Sequence, residues 1–136
     1  MRVFLDANIM FSAAKSDGAV RALLWLIAAQ GHELVADEYV VAEARRNLLS
    51  KGAAAMEGFE ELLRHIEVAP FRATRLPHDL AALIADKDRP VMAAAIRLRC
   101  DVLVTGDSTH FGGLYGTVRH GVAVHSPRSL AEALKG

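Results

Sequence analysis

Two short apolar runs that each end abruptly in an aspartate constrain the fold of this sequence more than any other feature. In segment 101–107, the run Val-Leu-Val leads directly into Thr105, Gly106 and Asp107. The N-terminal segment repeats the pattern, because Val-Phe-Leu leads directly into Asp6. Runs this short and apolar are typical of buried parallel strands. If the two strands are neighbours, their aspartates meet at one edge of the sheet.

Composition indicates one globular unit. A chain of 136 residues fits a single domain, 1–136, and its 52% hydrophobic content excludes wholesale disorder. Sixteen basic residues balance sixteen acidic ones, so no overall charge favours nucleic acid, although a local patch would not show in the total. Cys100 is the only cysteine, and no signal-peptide pattern or membrane-length apolar run is present. We therefore expect a cytoplasmic protein without membrane contact.

Strand and helix patterns alternate along the chain. After the first strand, the pattern predicts helices at 16–31, 37–52, 53–65 and 88–99, a helical turn at 80–85, strands at 32–36, 66–70, 101–105 and 122–125, and a last helix opened by Ser126. A Gly-rich loop is expected after Asp107. This alternation predicts an α/β fold, a three-layer α/β/α sandwich whose mainly parallel sheet has about five strands. Ligands of such sheets bind at the carboxyl ends of the strands.

Two further carboxylates are candidates for the same edge. Asp88 lies at the expected start of a helix, and Glu43 lies beside the apolar face of another. Each has an ordinary structural explanation: Asp88 as a helix cap, Glu43 as a surface partner of Arg46, and the strand-end aspartates as loop hydrogen-bond acceptors. These explanations weaken together, because two strand ends and two helices supply acids to one expected edge.

A cluster of acids requires compensation. Two unit charges about 4 Å apart repel by roughly 4 kcal/mol at an effective dielectric near 20. The acids must therefore bind a cation or take up protons. Oxygen ligands select hard cations such as Mg²⁺ or Mn²⁺, which suit phosphate chemistry. The six histidines are scattered without zinc-site spacing, and no Walker A or nucleophile-elbow motif is present.

The ordered set of these motifs resembles a PIN domain. Asp6-Ala-Asn8, a mid-chain Glu43, Asp88 before an Ala-rich helix, and Thr105-Gly-Asp107 occur in the family's order. The resemblance covers essentially the whole chain. Within the family, the chain resembles the small prokaryotic single-domain members, which include the VapC-like toxin ribonucleases. It implies that a water activated by Mg²⁺ or Mn²⁺ hydrolyses RNA phosphodiester bonds. It also implies a toxin–antitoxin pair with a cognate antitoxin.

The resemblance also implies a set of site residues. The expected catalytic and metal-binding acids are Asp6, Glu43, Asp88 and Asp107, with Asn8 and Thr105 as supporting polar groups. Several alternatives stay open at this point. Asp86 is a rival of Asp88, and Glu38 is a rival of Glu43 although it fits a capping role better.

The loop after Asp107 leaves the metal stoichiometry open. It lacks a second aspartate that some family members place there, so one and two ions are both compatible with the sequence. His110 in this loop has two readings, a substrate contact or a loop hydrogen bond, and the second is favoured.

Binding surfaces are less well defined. Arg46, Lys87 and Arg89 lie beside the acids in sequence and can contact phosphate oxygens, although each can also belong to a solvated face. Residues 23–27 are apolar almost all round their expected helix, which predicts a homodimer.

Two other functions remain alternatives. The chain can keep the fold yet act as a catalytically weak or inactive module that binds nucleic acid or protein. A Mg²⁺-dependent phosphatase with Asp6 as nucleophile is less favoured, because Asn8 stands where that pattern has a second aspartate.

Overall fold

A six-stranded sheet forms the centre of the computed structural model, which describes residues 1–135. The strands are β1 (Arg2–Leu5), β2 (Glu33–Asp37), β3 (Glu67–Ala69), β4 (Val102–Val104), β5 (Val118–Arg119) and β6 (Val122–His125). Their order in the sheet is β3-β2-β1-β4-β6-β5. All neighbouring strands pair in parallel except β5 and β6, which are antiparallel.

Helices flank this sheet. The α-helices of the described residues are α1 (Ala7–Lys15), α2 (Ala19–Ala29), α3 (Glu38–Lys51), α4 (Met56–Leu63), α5 (His78–Ala81), α6 (Arg89–Arg97), α7 (Ser108–Phe111) and α8 (Pro127–Lys135). Helix α1 packs against α2, α3 and α4, whereas α6 contacts β4 and α8 contacts β6. The predicted α/β architecture with a mainly parallel sheet is confirmed. Within residues 1–135, no helix combines the length and the apolarity needed to cross a membrane.

The central strands are buried because their side chains are apolar on both faces. Val3, Phe4 and Leu5 are fully buried, as are Leu103 and Val104 of the neighbouring strand. Full burial of such side chains stabilises the fold by about 1.5–3 kcal/mol each. The buried side chains of both strands belong to one hydrophobic cluster, which also includes residues of the flanking helices. A short continuous apolar run is therefore a buried parallel strand here, as predicted.

The sheet contains one strand more than the expected five. Strand β5 is only two residues long and pairs with β6 in a hairpin. The two residues between them, His120 and Gly121, have φ values of 50° and 81°. Two consecutive positive φ angles are typical of the type I′ turn that joins tight hairpins. Asn, Asp or Gly usually occupies the first of these positions, so the histidine here did not indicate a hairpin in the sequence.

Two helices occupy segments in which none was predicted. Helix α1 begins directly after Asp6, whereas the first helix was expected only at Ser16. Ile9, Met10 and Ala13 of α1 recur at helical spacing and are buried. Helix α7 and a 3₁₀ turn at Gly112–Leu114 replace the expected Gly-rich loop.

The strand order reverses between β1 and β4. From β1 the chain adds β2 and then β3 on one side, and β4 begins the other side. The register aligns Leu5 of β1 with Val104 of β4, so these two strands end at the same level. A crevice at the carboxyl ends of two such strands is the usual ligand position in open α/β sheets. The residues that follow β1 and β4 therefore lie at the position where such sheets usually bind a ligand.

Candidate metal centre

Asp6 is held rigidly at the end of β1. Its side chain is only 4% exposed. Oδ1 accepts a hydrogen bond from the backbone N–H of Ala7 at 2.7 Å, which caps α1. Oδ2 accepts from the Thr105 hydroxyl at 2.8 Å and from the Asn8 side-chain amide at 3.3 Å. Both predicted supporting residues therefore contact this carboxylate.

The environment of Asp6 opposes its ionisation. Burial raises the pKa of Asp6 from 3.8 to about 6, although the hydrogen bonds from Thr105 and Ala7 pull that pKa downwards. The nearby charges of Glu43 and Asp88 raise it further. A carboxylate whose pKa is raised by burial and by other acids gains from a cation placed between them.

The ends of β1 and β4 are joined by side-chain hydrogen bonds. Thr105 is fully buried, and its hydroxyl oxygen accepts from the backbone N–H of Asp107 at 3.1 Å. The Asn8 side-chain oxygen accepts from the backbone N–H of Gly106 at 2.8 Å. A Cβ atom at Gly106 would lie 3.3 Å from that same oxygen, so glycine fits this close approach best. These bonds fix Asp107 relative to Asp6.

Asp88 and Asp107 meet at the imidazole of His110. The His110 Nδ1 atom lies 2.5 Å from Asp107 Oδ2 and 3.2 Å from Asp88 Oδ2. The longer contact lacks hydrogen-bond alignment, so the buried Asp88 Oδ2 has no hydrogen-bond partner within residues 1–135. Burial raises the pKa of Asp88, the positive charge of His110 lowers it, and the charge of Asp107 raises it.

Glu43 faces the same group of acids from α3. It is half-buried, and its charge acts on Asp6, as noted above. Tyr39 lies one helical turn earlier, and its hydroxyl donates to the backbone carbonyl of Lys87 at 3.1 Å. Burial raises the pKa of Tyr39, and the charges of Glu43, Asp88 and Asp6 raise it further. Tyr39 therefore lies beside three of the acids and ties α3 to the turn that carries Asp88.

The rival acids point elsewhere. The Asp86 side chain is 90% exposed and pairs with Arg89 at 2.6 Å. Glu38 is exposed in the first turn of α3, which Asp37 caps by accepting from the Val40 N–H. The structure therefore places Asp88, rather than Asp86, toward the other acids. It likewise places Glu43, rather than Glu38, toward them.

The basic candidates have different surroundings. The Arg89 guanidinium donates to the carbonyl oxygens of Ile84 and Ala81 in addition to its pair with Asp86, so it has little capacity left for a phosphate. Lys87 and Arg46 are exposed, and their charges act on Asp88 and Tyr39 respectively. They are the basic side chains that remain available beside the acids.

A groove of about 470 Å³ adjoins this region and was not predicted. Its lining includes Phe71, Leu76, Asp86, Arg89 and Pro90. The Phe71 ring is 45% exposed and stacks on Tyr39, with ring centroids 5.7 Å apart. None of the four predicted acids lines the groove, and Phe71 connects it to α3 through its contact with Tyr39.

The donor set fits a divalent cation. One ligand atom each from Asp88, Asp107 and His110 lies within 4.8 Å of the other two. Asp6 and Glu43 add negative charge nearby, and Asp88 presents a buried oxygen that has no hydrogen-bond partner among the described residues. Convergent carboxylate oxygens are the ligands that Mg²⁺ and Mn²⁺ prefer.

Together, the fold and the donor set define an α/β domain with an acidic site at its topological switch point. The sequence profile of one family, the PIN domain, matches residues 2–109 of the chain. The matched segment contains all four of the predicted acids. The chain belongs to the PIN domain family. No curated protein matches the chain.

Solved structures show the same fold. VapBC2 from Rickettsia felis, bound to a DNA fragment from their promoter, aligns with a TM-score of 0.69 and 19% identity over 93% of this chain and 98% of that one. FitAB bound to an IR36 DNA fragment aligns with a TM-score of 0.59 and 21% identity over 92% of this chain and 94% of that one. VapBC-1 from nontypeable Haemophilus influenzae aligns with a TM-score of 0.56 and 15% identity over 94% of this chain and 99% of that one.

Proposed function

We propose that this PIN domain is a ribonuclease that uses Mg²⁺ or Mn²⁺ to hydrolyse RNA phosphodiester bonds. The observation that carries the proposal is the convergence of acids from separate elements at the switch point between β1 and β4. Family membership supports the same chemistry, because the resemblance noted in the sequence is to VapC-like ribonucleases.

Each predicted residue has a role in this proposal. Asp6, Glu43, Asp88 and Asp107 would hold the ion, which supplies charge neutralisation at the phosphodiester and activation of water. Thr105 orients Asp6 through its hydroxyl and also fixes the backbone of Asp107. Asn8 bridges the two strand ends. The chain itself therefore contributes a preorganised set of oxygen atoms.

The surroundings of the acids suit an RNA strand. Lys87 and Arg46 are exposed beside Asp88 and Tyr39, where they can contact phosphate oxygens. The exposed Phe71 ring offers a surface on which one base can stack. We exclude Arg89 from this set because its guanidinium is already engaged by protein oxygens.

The similar structures support a partner protein for this chain. VapBC2 and FitAB were solved as complexes bound to DNA. We therefore propose that the chain is the toxin of a toxin–antitoxin pair and that a cognate antitoxin restrains it. Co-purification with the product of an adjacent gene would test this partner independently of catalysis.

The ribonuclease proposal is tested with a short RNA that carries a fluorophore and a quencher, in buffer with Mn²⁺. We expect cleavage that EDTA abolishes and that Asp107→Asn and Glu43→Gln each reduce by about 100-fold or more. Asp86→Asn is the matched control, because it removes a neighbouring acid that points away from the site. Cleavage that both site variants retain would refute the assignment of Asp107 and Glu43 to the active site, because the activity would then come from another site or from a contaminating nuclease.

A further inference from the structure

We propose that His110 adds a nitrogen ligand to the carboxylates of this site, beside Asp88 and Asp107, and that it makes the site prefer Mn²⁺ over Mg²⁺. This inference rests on the proposed metal-dependent function and extends it to the choice of metal. The loop hydrogen bond that the sequence favoured for this residue is present, between its Nδ1 atom and Asp107 Oδ2.

The three candidate ligand atoms lie close enough together to contact one ion. The His110 Nδ1 atom lies 2.5 Å from Asp107 Oδ2 and 3.2 Å from Asp88 Oδ2. Adjacent ligands of an octahedral ion with bonds of about 2.1 Å lie about 3 Å apart. Small side-chain adjustments therefore convert this cluster into part of a coordination sphere.

The loop hydrogen bond to Asp107 does not account for the contact of the ring with Asp88. The backbone N–H of His110 already donates to Asp107 Oδ1 at 3.1 Å, so the start of α7 is capped without the imidazole. The Nδ1 atom carries at most one hydrogen and cannot donate to both carboxylates at once. The buried Asp88 Oδ2 has no hydrogen-bond partner in the part of the chain that the structure describes, so this oxygen can bind a cation.

A second histidine–aspartate pair in the chain provides the contrast. His120 Nε2 contacts both oxygens of Asp79, at 2.9 and 3.1 Å, on the protein surface. Among residues 1–135, a single carboxylate takes part in that contact. The His110 nitrogen instead lies between carboxylates of two separate segments, Asp107 before α7 and Asp88 in the turn before α6.

A nitrogen ligand changes which ion the site prefers. Mg²⁺ is a hard cation that loses its waters reluctantly and favours oxygen ligands. Mn²⁺ accepts an imidazole ligand more readily than Mg²⁺ does, although it is the weakest binder among the first-row divalent metals at such a site. Carboxylates alone therefore discriminate weakly between Mg²⁺ and Mn²⁺, whereas added imidazole favours Mn²⁺.

The direct test is pulsed electron paramagnetic resonance of Mn²⁺ bound to the purified chain. We expect modulation from one directly coordinated ¹⁴N nucleus in the unmodified protein. His110→Asn keeps a side-chain amide that can donate to Asp107 but removes the imidazole, so this modulation should disappear. His120→Asn is the matched control and should leave it unchanged, since asparagine tolerates the positive φ at that position.

Affinity provides a second readout that does not depend on activity. We expect the unmodified chain to bind Mn²⁺ at least about tenfold more tightly than Mg²⁺, and His110→Asn to reduce this ratio about fivefold or more. Mn²⁺ binding without nitrogen coupling would overturn the role of His110 and leave the carboxylate site intact. Equal tightening of both ions in His110→Asn would also overturn it, because the ring would then compete with the ion. Absence of any Mn²⁺ binding would refute the proposed function itself.

Discussion

Ionisation of Asp6 destabilises the metal-free fold. Burial raises the pKa of this carboxyl from 3.8 to about 6, so the folded state binds its proton more tightly than the unfolded chain does. The free energy of unfolding therefore falls as pH rises from about 4 to about 6, by on the order of 3 kcal/mol from this group. Above that range the loss is complete.

Replacing Asp6 with asparagine tests whether ionisation of Asp6 lowers the free energy of unfolding. In EDTA at pH 7.5, we expect Asp6→Asn to unfold at a higher urea concentration than the unmodified chain and to lose most of the pH dependence between 4 and 6. The amide oxygen can still cap α1. Asp86→Asn is the control and should reproduce the pH dependence of the unmodified chain. An Asp6→Asn variant that is less stable at pH 7.5 would contradict the account.

The Thr105 hydroxyl donates to Asp6 Oδ2 at 2.8 Å, and Thr105 is fully buried. Thr105→Val keeps the shape of the side chain and removes this donor. We expect a loss of about 1.5–3 kcal/mol in the free energy of unfolding at pH 7.5, the usual size for a hydrogen bond to a charged group. Urea denaturation measures it.

A comparable hydroxyl outside the site serves as the control for that experiment. The Thr117 hydroxyl donates to the carbonyl of Leu114 at 2.7 Å. Thr117→Val should also lower stability, but it should leave Mn²⁺ affinity unchanged, whereas Thr105→Val should weaken Mn²⁺ binding. Equal effects of both variants on the metal would argue against the orienting role of Thr105.

At the level of elements, sequence patterns predicted those whose signal is long or strongly apolar. Strands β1 and β4 follow from their apolar runs, and α3 follows from Asp37 and the periodic residues after it. Helix α1 was missed because Asp6 was interpreted only as a strand end, although the same residue also caps a helix. Helix α7 and strand β5 were missed because four and two residues are too few to show a period.

The cap of α3 links the stability of this helix to the site, because α3 carries Glu43. Asp37 is buried and accepts from the Val40 N–H at 3.2 Å, and its carboxylate lies 3.9 Å from Arg97. We expect Asp37→Ala to lower the free energy of unfolding by about 1–3 kcal/mol and to weaken Mn²⁺ binding. Asp37→Asn keeps the cap and should stay within about 1 kcal/mol of the unmodified chain.

A cap on a helix without site residues separates the two effects. The Ser126 hydroxyl oxygen accepts from the Ser129 N–H at 3.1 Å near the start of α8. Ser126→Ala should lower stability by about 1 kcal/mol while leaving Mn²⁺ affinity unchanged. If Asp37→Ala likewise left Mn²⁺ affinity unchanged, α3 would not position Glu43 for metal binding.

At the level of the whole molecule, the sequence predicted four acids near one edge of the sheet but not the contacts that surround them. The order of the motifs placed Asp6, Glu43, Asp88 and Asp107 near one crevice. The stacking of Tyr39 on Phe71 and the contact of His110 with two carboxylates depend on segments distant in sequence. No local pattern encodes such contacts, although the spacing of Tyr39 four residues before Glu43 does place both on one face of α3.

The predicted homodimer also belongs to this scale. Leu23, Leu24 and Ile27 of α2 are buried in the chain's own core, whereas Trp25 and Leu26 remain 39% and 40% exposed. We expect light scattering after gel filtration to give about twice the 14.7 kDa mass of one chain. The double variant Trp25→Glu with Leu26→Glu should give the mass of one chain.

Leu83 is a suitable control for the dimer, because it is 53% exposed outside α2. Leu83→Glu should leave the mass unchanged. An unmodified chain that stays monomeric at high micromolar concentration would refute the homodimer.

The measurement that tests the central claim most directly is Mn²⁺ titration calorimetry on the unmodified chain, Asp88→Asn, Asp107→Asn and Asp86→Asn. It needs no knowledge of the substrate, and contaminating nucleases cannot imitate it. If the acids form one metal site, both Asp88→Asn and Asp107→Asn weaken binding about tenfold or more, and Asp86→Asn does not. Binding that is absent from the unmodified chain, or unaffected by both site variants, would contradict the account and leave these acids with a structural role.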